Sequence, residues 1–241
     1  MIKKAMMQFT GERVVDGSTP QRIWMDHEAR YKFASSYVKG KKVLDIACGT
    51  GYGSYILCDS GALKVVGVDL SSETIEFAQT NYQREGLEFK VGNILDINLP
   101  QNYFDVVTCF ETIEHVQSQE KAFIELKAIL KPTGLLIIST PNRKSTSPGR
   151  SINDQPANLF HTKEYLTGEF ILALEPYFYI LEIYGQRSMN KLFFLPFFEK
   201  IMRRILPVIY APQRGKPELE KFSSKKEYRY ITVICKKSKI K

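Results

Sequence analysis

The run VLDIACGTGYG, residues 43–53, constrains the fold of this chain more than any other. A short β-branched and Leu-rich stretch ends in a turn carrying Gly49, Gly51 and Gly53, and YGSYILCDSG then shows apolar residues at helical spacing up to Gly61. Strand, glycine turn, helix is a unit that must pack its helix back on a sheet, and the second such strand follows at once in ALKVVGVDLS (62–71). Glycines at such a turn let the backbone approach a ligand that a Cβ would exclude. Asp69 closes the second strand 20 residues after Gly49, where a carboxylate can take both hydroxyls of a ribose. An adenosine-containing ligand follows. A dinucleotide fingerprint would need glycine where Ser54 stands, and no G-K-[ST] phosphate loop occurs, which disfavours NAD and ATP.

The alternation continues. SSETIEFAQTNYQ (71–83), QEKAFIELKAILKPTG (119–134) and TKEYLTGEFILAL (162–174) read as helices. LEFKVGN (87–93), FDVVTCF (104–110), GLLIIST (134–140), YFYILEIYG (177–185) and YRYITVICKK (228–237) bring the strands to seven. The prediction is a doubly wound Rossmann-like α/β sheet of seven strands, mostly parallel with an antiparallel last strand and helices on both faces. Its parts are an N-terminal lid or cap (1–40), a cofactor-binding core (41–187), an insertion (188–227), and the last strand with a basic tail (228–241).

Composition matters mainly through where the charge lies. The net charge is +8, but residues 188–241 hold 14 Lys+Arg against 4 Asp+Glu, leaving 20 against 22 in the first 187. A near-neutral body with a basic end argues against nucleic acid as the partner of the whole protein. PFFEKIMRRILP (196–207) alternates apolar and charged pairs between two prolines, an amphipathic helix. A lid or homodimer face, a peripheral membrane contact through 192–210 and a nucleic-acid grip are the open readings; the apolar content favours the first two. The four cysteines have no C-x-x-C spacing and read as reduced thiols, and neither a leader-type apolar core nor an 18-residue apolar run occurs, so a cytoplasmic location is expected, membrane-peripheral if the helix docks.

Over residues 40–187 the chain resembles the class I S-adenosylmethionine-dependent methyltransferases. VLDIACGTGYG resembles their first motif, with Asp45, Ala47, Gly49 and Gly51 in register; VVGVDLS resembles the second, with Asp69 on the ribose and Leu70 after it. VGNILDI resembles the third, with Asn93 where the family has Asp against the adenine amino group, and Ile94 beside it; FDVVTCFETIEHV, with Phe110, and LKPTGLLIISTPN resemble the fourth and fifth. FTGERV and WMDHEARYKFA are similar to N-terminal segments that close over the cofactor, which implies Arg30 or Tyr31 at the methionine carboxylate and Glu12-Arg13 in a lid.

The acceptor belongs beyond the carboxyl ends of the strands, where FETIEHV lies. If this run turns helically, Glu111, Glu114 and His115 fall at i, i+3 and i+4 on one face. His115 is then the candidate base, with Glu111 orienting it or the substrate. The E-x-x-E-H run is also similar to that of ubiquinone-pathway O-methyltransferases and terminal RNA 2′-O-methyltransferases, which implies a divalent cation, Mg²⁺ or Mn²⁺, on Glu111, Glu114, His115 and His161. His161 is also a candidate catalytic residue, and with Asn142 and Asn158 flanks a loop similar to the substrate loop of enzymes acting on sugars and other small hydroxylated molecules. O-methylation of a small or glycan-type acceptor, lipid-linked if the membrane reading holds, is the expected function, with a metal-dependent RNA 2′-O-methyltransferase and an inactive cofactor-binding module as alternatives; a monomer or homodimer is expected.

Overall fold

The computed structural model describes residues 14–15, 17–190 and 215–237. Eight strands form one sheet in the order β3-β2-β1-β4-β5-β8-β6-β7. They are β1 (Lys42–Ile46), β2 (Lys64–Asp69), β3 (Leu87–Val91), β4 (Phe104–Cys109), β5 (Leu130–Pro141), β6 (Phe178–Asn190), β7 (Glu220–Lys221) and β8 (Lys226–Lys237). The first five pair in parallel, while β8 runs antiparallel to both β5 and β6. The eighth strand corrects the expected count of seven. Two residues of β7 pairing with Tyr184 and Gly185 are too short to leave a period in the sequence. β6 also continues to Asn190, so the boundary expected at 187/188 falls inside a strand.

The strand sequences explain the layering. Val43, Val65, Val106, Ile137 and Ile234 share one face and pack under α1 (Gln21–Ala34) and α2 (Tyr52–Asp59). Leu44, Val66, Val107, Leu136 and Val233 share the other and pack on α4 (Gln119–Ile129) and α6 (Thr167–Leu174). Burial on both faces is why these strands read as continuous apolar runs; each fully buried aliphatic side chain contributes about 1.5–3 kcal/mol. α3 (Ser72–Asn81) covers β3 through Ile75, Ala78 and Phe89 and is capped by Ser71, whose Oγ accepts from the Thr74 N–H. α6 begins five residues later than the helical pattern suggests, because the Thr162 and Lys163 N–H groups are drawn out to the Glu114 carbonyl at 2.7 and 3.2 Å. The four cysteines are free and buried.

The sheet order reverses between β1 and β4, opening a crevice at their carboxyl ends. The glycine loop leaves β1 there, and FETIEHV leaves β4 there.

Candidate active site

At that crevice lies a cavity of about 640 Å³. One wall includes Tyr31, Ala47, Gly49, Asp69, Leu70, Asn93 and Ile94; Phe110, Glu111 and His115 also line the cavity. Asp69 braces the loop: Oδ2 accepts from the Gly49 N–H at 2.9 Å and Oδ1 from the Ser71 N–H at 3.0 Å. Asn93 Oδ1 accepts from the Leu95 N–H at 2.8 Å, which fixes the amide at the cavity edge and leaves a second oxygen lone pair.

The three loop glycines serve three different ends. Gly49 has φ +54°, and a Cβ there would meet nothing within 4 Å, so this position opens on the cavity. Gly51 has φ +88° and a Cβ would strike Ala78 at 2.7 Å, a packing constraint between loop and α3. At Gly53 a Cβ would fall 2.0 Å from the Tyr31 ring. The expected ligand approach therefore applies to Gly49; Gly53 makes room for a tyrosine.

That tyrosine joins α1 to the loop. Tyr31 Oη donates to both carboxylate oxygens of Asp45 at 3.2 Å, with Ser54 Oγ at 2.7 Å and Thr108 Oγ1 at 2.8 Å as further donors. Asp45 is wholly buried; burial pushes its pKa up to about 6, a shift these three hydrogen bonds oppose. It sits behind the loop rather than in the cavity wall, as do Gly51 and Arg30. Arg30 turns away to Gln186 Oε1, to which its Nη1 donates at 2.6 Å. Glu12 and Arg13 of the expected lid, and residues 192–210, lie outside the described residues.

FETIEHV does not form one face. Glu111 adopts φ +48°, a left-handed backbone that bends the chain off β4, and a 3-10 turn spans Ile113–His115. Glu111 Oε1 accepts from Ser139 Oγ at 2.6 Å, and its N–H donates to the same oxygen at 3.2 Å. Glu114 points inward, 1% exposed, accepting from Thr140 Oγ1 at 3.1 Å; burial first, then the Glu111 charge, hold its carboxyl well above the usual range. His115 Nδ1 lies 3.1 Å from the Phe160 carbonyl, which must accept a proton, so neutral His115 carries its lone pair on Nε2. Its ring meets His161 edge-on at 4.7 Å. His161 is held at both nitrogens, by Glu164 Oε1 at 2.6 Å and Asn158 Nδ2 at 2.9 Å. Glu114, His115 and His161 bring one ligand atom each within 4.8 Å of one another, a group Glu111 does not join. Asn142 is buried, donating to the Tyr228 carbonyl and capping the Lys144 N–H; neither it nor Asn158 reaches the cavity wall.

Ten of the cavity residues were absent from the sequence-derived set, among them His27, Cys48, Thr112 and Gln117. His27 could have been found, because it stands one helical turn before Tyr31 on α1. Burial, then the charge of Arg30, holds its imidazole pKa well below the ordinary value.

A crevice at the switch point of a doubly wound sheet, walled by a glycine loop, a strand-end acid and a histidine, is where α/β proteins of this class bind their ligands. The comparisons agree. Residues 38–192 match a methyltransferase-domain family model, and the chain belongs to that family, the class I S-adenosylmethionine-dependent type. Over 170 residues it is 35% identical to a Mycolicibacterium smegmatis protein named a probable S-adenosylmethionine-dependent methyltransferase, covering 70% of this chain and 64% of that one. It is 39% identical over 111 residues to the ubiquinone biosynthesis O-methyltransferase of Haemophilus ducreyi, covering 43% and 47%. The chain thus spans less than two thirds of each relative. A solved structure from Pyrococcus horikoshii OT3 superposes with TM-score 0.65 at 21% identity, covering 95% of this chain and 96% of the other, a likeness of fold. Among the described residues no helix is long and apolar enough to cross a membrane.

Proposed function

We propose that the protein transfers the methyl group of S-adenosylmethionine to a hydroxyl of a small-molecule or glycan-type acceptor, lipid-linked acceptors included. The observation that carries the reading is His115 on the wall of the cavity that Gly49 and Asp69 also line, with its lone pair set on Nε2 by the Phe160 carbonyl. The local similarity to a ubiquinone biosynthesis O-methyltransferase supports transfer to oxygen.

The residues present suit the donor. Asp69 would hold the ribose, Asn93 and Leu70 the adenine, and the open Gly49 position leaves room for the backbone to meet the rest. Bound there, the donor supplies an electrophilic methyl on sulfur, and its transfer leaves a neutral thioether. The protein must then place a hydroxyl in line and remove its proton. His115 Nε2 would take the proton of an acceptor hydroxyl held in line with that methyl. Glu111, fixed by Ser139, orients the acceptor rather than the imidazole, since its contacts are to Ser139.

The cluster of Glu114, His115 and His161 favours a second reading, in which a divalent cation orients the acceptor. Two imidazole nitrogens and one carboxylate, with Glu164 behind His161, would suit Mn²⁺ better than oxygen-seeking Mg²⁺ at these three residues, and a cation there would supply charge that lowers the hydroxyl pKa. Such a cation would also balance the buried Glu114 carboxylate.

The test is a search of cell extracts, incubated with protein and donor, for a product heavier by one methylene. His115→Ala should lower its formation about 10²-fold while leaving donor affinity nearly intact. Unchanged turnover in that variant would remove His115 as base; turnover abolished by chelation and restored by Mn²⁺ would select the cation reading.

A further inference from the structure

A group of arginines converges just outside the donor cavity, on the half of the sheet the donor does not use. β8 enters antiparallel, so its early residues Arg229 and Tyr230 lie at the carboxyl end of β5, where Tyr230 is registered against Pro141. β6 ends at the same edge, with Gln186 opposite Tyr230. α1 crosses this edge: Gln186 Nε2 donates to the Asp26 carbonyl at 2.8 Å and Arg187 Nε to Asp26 Oδ1 at 2.6 Å. The guanidinium carbons of Arg30 and Arg229 stand 5.0 and 5.5 Å from the centroid of the single Tyr230 ring. Arg22 lies within electrostatic reach of Arg229, Tyr230, Asp26 and Arg187.

Among the described residues this charge is only partly balanced. Arg30 is completely buried, yet its Nε and Nη2, together with Arg22 Nη1, have no hydrogen-bond partner among the described residues. Asp26, the carboxylate in contact with the group, gives Oδ1 to Arg187, and its buried Oδ2 has no hydrogen-bond partner among the described residues. A buried guanidinium with two open donors is costly, and Arg30 and Arg229 beside one ring, with Arg22 near Arg229, add like charge that an anion would offset. Arg30 lies three residues after His27 and one before Tyr31 on α1, and both of those side chains line the cavity.

We infer that Arg22, Arg30 and Arg229 form an oxyanion subsite that seats a phosphate or pyrophosphate group of the acceptor, beside the hydroxyl to be methylated. Guanidinium forks match phosphate oxygens, and a multiply charged anion offsets this excess better than one carboxylate would. The inference rests on the methyltransferase reading above, and it narrows the acceptor to a phosphorylated molecule.

Titration calorimetry of the protein saturated with S-adenosylhomocysteine, using inorganic phosphate, pyrophosphate and malonate as probes, tests it. Pyrophosphate should bind most tightly, and Arg30→Gln and the less buried Arg229→Gln should each weaken it about 10-fold or more. S-adenosylhomocysteine affinity and melting temperature should stay close to the parent's in Arg229→Gln, which keeps the test valid if Arg30→Gln folds poorly. Pyrophosphate affinity unchanged in both variants would overturn the subsite. A large loss of S-adenosylhomocysteine affinity in Arg30→Gln would reassign that arginine to the donor, and malonate binding as tightly as pyrophosphate would overturn the phosphate assignment. A parent that binds S-adenosylhomocysteine but none of the anions defeats the subsite alone; one that fails to bind S-adenosylhomocysteine defeats the methyltransferase reading itself.

Discussion

Gly53→Ala adds one methyl group and should damage the protein far more than a surface substitution. The new Cβ would lie 2.0, 2.2 and 2.4 Å from three atoms of the Tyr31 ring, where real contacts stay above 3.0 Å, so ring or helix must move by an ångström or more. The ring cannot yield cheaply. Its hydroxyl donates to Asp45, and its edges meet Tyr52 and Phe110 at centroid distances of 5.5 and 5.1 Å. Overpacking costs about 1–3 kcal/mol, and a lost hydrogen bond to a buried carboxylate about 1.5–3 kcal/mol more. Against this, alanine in place of glycine in a helix returns up to about 1 kcal/mol. The net expectation is about 2–4 kcal/mol, a melting temperature lower by roughly 5–15 °C for a chain of this size. Scanning calorimetry reads it directly. Donor affinity should fall as well, because Tyr31 lines the cavity. Adding Tyr31→Ala should make the double variant less unstable than the sum of the singles, since the clash disappears with the ring. An unshifted melting temperature in Gly53→Ala would refute the claim that this glycine exists to admit Tyr31.

Gly49→Ala should behave oppositely, costing about 1 kcal/mol of stability through its left-handed backbone while weakening the donor, a contrast visible by comparing melting and titration data. Asp45 has a folded pKa of about 6 against 3.8 unfolded, so the folded form gains stability as pH falls from 6 to 3.8 and forgoes about 3 kcal/mol above 6. Denaturation of the parent and Asp45→Asn at pH 4 and pH 7 should show their difference changing in that sense; no change would contradict it. Glu164 is the reverse case: burial raises its pKa, but hydrogen bonds from His161, Thr146 and Ser147 outweigh that and hold it below 4.5. Its contribution is present above pH 4.5 and lost as pH falls through the lower folded value, so Glu164→Gln should cost about 1–2 kcal/mol at pH 7 and progressively less once pH falls below that folded value.

The sheet and the glycine loop with its strand-end acid at the cavity were legible because their signals are local. Strands buried on both faces read as apolar runs, and a glycine loop followed by a strand-end acid has a fixed spacing. The acceptor side was less legible because FETIEHV depends on one backbone angle. Counting i, i+3 and i+4 presumes a helix, and the left-handed Glu111 breaks that count, sending Glu114 inward and Glu111 to Ser139. Likewise nothing in the pattern told that Gly53 serves Tyr31, or that Arg30 leaves the cavity for Gln186; both contacts are tertiary, spanning 22 and 156 positions.

The account stands most directly on donor binding. Isothermal titration with S-adenosylmethionine should give one site of micromolar affinity, weakened about 10- to 100-fold in Asp69→Asn, which loses the charge presented to the ribose hydroxyls. Absence of binding to the parent, or equal affinity in Asp69→Asn, would contradict the placement of the donor between Gly49 and Asp69.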